Sequence, residues 1–145
     1  MSKIDFWQLS RDPVEKVVAL IAQRVVSQGE RLLVVSGDPK QRDEISRGLW
    51  SAGEESFLAN GQADVEGAPA QPILLSPTAD TVNEASHVIF ADGEYREADG
   101  FARSFLLFDD DTVAEARKIW KSLDETPDLE RSFFRQDGGK WVKVA

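Results

Sequence analysis

One stretch constrains the fold of this chain more than any other: residues 29–57, GERLLVVSGDPKQRDEISRGLWSAGEESF. Leu32 to Ser36 is apolar almost throughout and rich in valine, which suits a short strand covered on both faces. Gly37-Asp38-Pro39 ends it. An aspartate followed by proline predicts a helix start, with the acid at the N-cap and the proline at the first helical position, where its missing N–H breaks no bond. Ile45 and Leu49, with Trp50 beside them, give that helix one apolar stripe. Strand, turn and helix in this order are the unit of an open α/β sheet, and the turn is a place where such sheets hold phosphates.

The segments on either side extend the same pattern. Ile4 to Leu9 is aromatic and aliphatic and reads as the first strand. Ser10-Arg11-Asp12-Pro13 repeats the acid-then-proline signal, and a helix follows from Val14 to about Ser27 with Val17, Val18, Leu20, Ile21 and Val25 on a broad apolar face. Gln28-Gly29 closes it, the glycine serving the left-handed C′ position. Strands joined through a helix of this length run parallel. Between Ser51 and Gln71 the composition shifts to Gly, Ala, Glu, Asn and Pro, which predicts an exposed connection held down at Phe57 and Leu58. Further short strands are expected at Pro72–Leu75, His87–Phe90 and Ser104–Phe108, while Val82 to Ser86 fits neither pattern.

Asp109-Asp110-Asp111 supplies negative charge at the start of a last helix, where the dipole favours it. That helix spans Thr112 to about Leu123, with Val113, Ala116, Ile119, Trp120 and Leu123 on one arc and Arg117 and Lys121 on its border. After Pro127, RSFFRQDGGKWVKV reads as a hairpin around Asp137-Gly138-Gly139. No internal repeat or second domain is visible. The expectation is one α/β domain over residues 1–145, a largely parallel open sheet with helices on both faces and an exposed loop at 51–71.

Composition narrows the function. A net charge of −9 opposes broad affinity for DNA, RNA or an acidic membrane. The absence of cysteine excludes disulfides and thiolate metal ligands. The N-terminal residues have no signal-peptide pattern and no apolar run reaches membrane-spanning length, so a cytoplasmic protein is expected. The turn after Leu32–Ser36 holds one glycine and neither GK[ST] nor GxGxxG. Pro39 removes an N–H donor there and Asp38 would repel a phosphate, which argues against nucleotide binding. The only histidine, His87, opens an apolar strand and reads as a satisfied strand-end residue. Ser36-Gly37 lacks an elbow pattern around a nucleophile, and the acids at 109–111 are explained by the helix start. No catalytic residue, metal site or cofactor is expected.

Binding remains. Arg117, Lys118 and Lys121 are the densest basic group in an acidic chain, with Trp120 among them and Arg131 and Arg135 further on. Two readings are open: a solvated helix face whose cations complement the dipole, or a pocket for a short acidic peptide with an aromatic end. Trp50 with Phe57 is either core or a dock for a partner.

Together these segments resemble the chi subunit of bacterial DNA polymerase III holoenzyme. The resemblance is carried by the strand IDFWQL, by RLLVVSGDPKQRDEISRGLW with its helix ending in Leu-Trp, by ESFLANG after it, by QPILLS and by the closing helix AEARKIWK. The long loop, acidic composition and lack of cysteine are most similar to the alphaproteobacterial branch. The resemblance implies a non-enzymatic accessory subunit of the clamp-loader assembly, with a fold like a mononucleotide-binding one but no nucleotide site. It implies binding to the acidic, phenylalanine-terminated C-terminal tail of single-stranded-DNA-binding protein, and to the psi subunit or another clamp-loader component, without direct nucleic-acid binding. The family's Arg-x-x-aromatic-Lys pattern falls on Arg117, Trp120 and Lys121, with tryptophan where tyrosine is common. Val113 stands where a lysine can contribute, so Lys118 or Arg131 would have to replace it. The psi surface would fall on Trp50 and Phe57. The alternative that the residues leave open is a nucleotide-binding or regulatory α/β domain.

Overall fold

A parallel strand covered by helices on both faces is apolar along its whole length, and Leu32–Val35 (β2) is fully buried throughout. The computed structural model describes residues 2–10, 12–51, 58, 60–63, 71–80, 83–96, 100–126, 129–137 and 140–145. In chain order they form β1 (Ser2–Gln8), α1 (Val14–Ser27), β2, α2 (Pro39–Ser51), β3 (Asn60–Gln62), β4 (Ile73–Ser76), β5 (His87–Phe90), β6 (Arg103–Phe108), α3 (Val113–Ser122), β7 (Leu129–Asp137) and β8 (Lys140–Lys143). A 3-10 turn, Leu123–Glu125, follows α3. The strands make one 8-stranded sheet in the order β3-β4-β2-β5-β6-β1-β7-β8. Its neighbours are parallel except β7 and β8, which are antiparallel.

Alternation along the strands divides the core between the two faces. Trp7, Leu32, Val34, Ile89, Phe105 and Leu107 pack with α1 and α2, whereas Phe6, Leu33, Val35, Phe90, Leu106 and Phe108 pack with the inner side of α3. The largely parallel open sheet with helices on both faces is therefore present as expected. The two helices on the first face cross closely at Gly48, where a Cβ would lie 3.2 Å from the Glu15 Cβ. Gly29 takes φ +77°, and its N–H reaches the Val26 carbonyl, closing α1 in the expected left-handed conformation. Among the described residues no helix is long and apolar enough to cross a membrane.

Several expectations change. Residues 51–71 are not all exposed loop: Ser51 ends α2, Leu58 is buried, and Asn60–Gln62 forms the edge strand β3 paired with β4. Asn60 is held there by the Ser46 hydroxyl, which donates to its side-chain oxygen at 2.6 Å. Phe57 lies outside the described residues. Leu20, assigned to the buried face of α1, is 37% exposed. Asp12 does not cap α1, because Pro13 occupies the N-cap. The Asp12 carboxylate instead accepts from Gln136 at 2.7 Å and pairs with Lys16, tying the helix start to β7. Of the ambiguous segment before β5, Val82 lies outside the described residues, and Asn83 acts as a bracket: buried, it donates to the Leu32 and Gln71 carbonyls and accepts on its own carbonyl from Arg31.

Candidate functional site

The arc expected on the last helix is the one α3 presents to the sheet. Trp120 rests edge-on against Phe6, with centroids 5.1 Å apart, and against Phe133 at 5.8 Å. The Arg131 guanidinium carbon lies 4.6 Å from the centroid of the same ring. Arg131 also donates to the Trp120 carbonyl and forms an ion pair with Asp124 at 2.7 Å. The indole is thus a fixed wall, half-buried, with its position set from the sheet side and from β7.

Beside this wall lies an open cavity of about 290 Å³. Arg117, Trp120 and Lys121 line it, as the helical spacing predicts. Its other sides come from elsewhere in the chain: Gln8 at the end of β1, Phe133 and Arg135 on β7, and the Val144–Ala145 segment after β8. Lys118 does not line it and pairs with Glu115 at 3.3 Å. Arg131 does not line it either, being held by Asp124 behind Trp120. Val113 packs against the core. The cation that joins Arg117 and Lys121 is therefore Arg135, not Lys118 or Arg131. Among the described residues, Arg117, Lys121 and Arg135 form no ion pair and no side-chain hydrogen bond. The sequence does carry a signal for Arg135, since Arg131, Phe133 and Arg135 alternate with the strand period and share a face.

The turn after β2, the other place considered for a ligand, is filled from within. Asp38 Oδ1 accepts the Lys40 N–H at 3.0 Å, the expected capping contact for α2. The Gly37 N–H donates to Asp92 Oδ2 at 2.9 Å, so a carboxylate of the chain sits where a phosphate would be cradled. Asp92 is gripped by both terminal nitrogens of Arg96, at 2.7 and 3.0 Å. A phosphate here would have to displace Asp92 and then face Asp38. A small crevice of about 120 Å³ between the C-terminal ends of the neighbouring strands is likewise edged by Asp92 and Asp109.

Burial alone would raise the pKa of Asp92, but the hydrogen bonds from Arg96, Gly37 and Glu94 and the Arg96 charge together bring it below the ordinary 3.8. A carboxyl with a depressed folded-state pKa contributes stability that is complete above its unfolded value and lost as pH falls through the folded value. Asp92→Asn is accordingly expected to lower the urea midpoint at pH 7, with the gap to the parent protein narrowing as pH falls below 3.8. An equal gap at pH 7 and at pH 2.5 would remove the electrostatic explanation.

The remaining polar candidates have hydrogen-bond partners within the chain. His87 Nδ1 is 2.7 Å from the Ser86 hydroxyl, which donates to Glu30 at 2.7 Å. Burial lowers the His87 pKa, an effect that Glu30 opposes and Arg103 reinforces. Asp109 Oδ1 accepts the N–H groups of Asp111 and Thr112 at 3.0 and 3.1 Å, folding the turn that leads into α3. Trp50, near the end of α2, is 55% exposed, so it is a surface residue and not part of the core.

The family model described as DNA polymerase III chi subunit, HolC, matches residues 1–127. No curated protein matches the chain. The matched segment contains α3, and ends before β7 and β8.

Proposed function

The chain belongs to the DNA polymerase III chi subunit family, an accessory subunit of that polymerase, and from this premise we propose that it binds the acidic C-terminal tail of single-stranded-DNA-binding protein in the cavity beside Trp120. The observation that carries the proposal is the convergence of Arg117, Lys121 and Arg135, without acidic partners among the described residues, around an open cavity walled by Trp120 and Phe133. A net charge of −9 would repel an acidic peptide over most of the surface, so unpaired cations at one place select where it lands. A cavity of about 290 Å³ suits one aromatic side chain, which the edge of Phe133 and the indole can enclose. The acids before it meet the guanidinium groups in charge-assisted hydrogen bonds. The chain holds its partner without chemistry, linking the clamp-loader assembly to coated single-stranded DNA in the cytoplasm. Its contact with nucleic acid is then indirect.

Calorimetry with an acidic peptide ending in phenylalanine tests this. Binding is expected at low salt, weakening about tenfold or more as the Debye length shrinks from roughly 30 Å at 0.01 M to roughly 8 Å at 0.15 M. The same peptide ending in alanine should bind far more weakly. Absence of binding at low salt, or equal affinity for both peptides, would overturn the assignment.

A second surface is assigned to another clamp-loader component such as the psi subunit. Its support is the exposure of Trp50 in the segment that resembles the family's Leu-Trp helix end. Large indoles at a surface are frequent interface anchors.

A further inference from the structure

Next to the cavity's Arg135 and Val144 lies the outer face of the β7–β8 hairpin. Phe133 belongs to the α3 side of the core, whereas Phe134 and Trp141 pack on the α1 side. The register pairs Arg135 with Val142 and Asp137 with Lys140, and Val144 donates to the Phe133 carbonyl at 2.7 Å. Strand alternation therefore places Arg135, Asp137, Lys140, Val142 and Val144 on the same side as α3. Val142 is 42% exposed and Val144 53%, so this strip presents two of the large apolar side chains left in solvent. Lys140, like Arg135, forms no ion pair among the described residues; Asp137 stands opposite it in the register without one.

We propose that this face of the β7–β8 hairpin is a second subsite, which takes the acidic segment immediately preceding the aromatic terminus of the bound peptide. The inference rests on the function proposed above and adds where the rest of the peptide runs. The face is net positive, with Arg135 and Lys140 against the single carboxylate of Asp137, and an extended acidic chain leaving the cavity past Val144 passes Val142 with Arg135 at the junction and Lys140 beyond. The strip is also continuous with the cavity, since Arg135 and Val144 belong to both. It lies wholly beyond the residues that the family model matches. Exposed lysines on an edge strand also discourage pairing with other strands. That role requires only charge along the edge and does not predict any effect on peptide affinity.

Two peptides separate the possibilities, one long and acidic with a terminal phenylalanine, the other a short fragment holding only the last residues. Affinities are measured by calorimetry for the parent, for Lys140→Ala combined with Val142→Thr, and for Lys118→Ala. The double variant is expected to bind the long peptide about tenfold more weakly, with a shallower salt dependence, and the short one as the parent does. Lys118→Ala should leave both unchanged, because that lysine pairs with Glu115 away from the cavity. If the parent binds the long peptide and the double variant matches it, the strip is not a subsite although the cavity stands. If the parent binds neither peptide, the cavity assignment falls and takes the strip with it.

Discussion

Replacing Arg103 with alanine is expected to cost about 3–5 kcal/mol of unfolding free energy, the range typical of breaking a buried ion pair from one side. Asp5 lies on β1, between β6 and β7, and has no exposed surface. Its Oδ2 accepts from Arg103 Nε at 3.1 Å and from Nη2, while Oδ1 has no hydrogen-bond partner and only Lys3 Nζ at 4.0 Å. Removing the guanidinium leaves a carboxylate in the sheet with that distant lysine as its remaining cation. The guanidinium carbon also sits 4.9 Å from the Phe105 ring centroid, and alanine gives up this cation–π attraction as well. The Arg103 side chain is 38% exposed, so water can enter the space it leaves, which favours the lower end of the range. Replacing both partners with valine, a residue suited to strand positions, should restore most of the loss, because a buried pair exchanged for apolar side chains is often neutral. Urea unfolding of the single and double variants measures both effects. A single variant within about 1 kcal/mol of the parent would show that Asp5 is satisfied without Arg103.

The same strand shows where sequence reading succeeds and where it stops. Local signals place most elements: the Val-Leu run of β2, the Asp38 cap of α2, the glycine closing α1 and the amphipathic arc of α3 each act within a few residues. Asn60–Gln62 escapes because an edge strand pairs on one side only and needs no apolar run, so its Asn-Gly-Gln resembles a loop. That Asp5 meets Arg103 follows from parallel pairing of β1 with β6 across most of the chain, which no local pattern announces.

The candidate site divides along the same line. Arg117, Trp120 and Lys121 fall together because helical spacing is enough to gather them. Lys118 projects from α3 away from the cavity, and Arg131 is held by Asp124 and the Trp120 carbonyl, so neither joins them. Gln8 and Arg135 arrive through the parallel β1–β7 pairing, whose register sets Gln8 beside Arg135. The family resemblance points to the helix and to Arg131, and the opposite wall comes from other residues of the sheet. The turn at Gly37, a ligand site by its position in the sheet, is closed by Asp92.

Trp120 carries the largest expected effect on binding. Trp120→Ala should weaken the acidic, phenylalanine-terminated peptide about 30-fold or more, the loss that follows when an aromatic anchor worth about 2 kcal/mol is truncated. Arg117→Ala removes one screened cation and should cost less, because charges at a solvated rim act mainly on the association rate. The indole also supports the sheet. In the alanine variant Phe6 and Phe133 each lose one of the rings that pack edge-on against them, Phe108 remaining, so some destabilisation accompanies the weaker binding. Trp120→Phe separates the two, because a phenyl ring retains an aromatic wall against Phe6 while giving up the larger face. It should bind within about fivefold of the parent. The comparison requires circular dichroism to verify that each variant is folded at the temperature of the titration. A folded Trp120→Ala protein that binds within about threefold of the parent would show that the terminal aromatic residue is not held against this ring. If the peptide ending in alanine then bound equally well, the cations alone would account for the affinity.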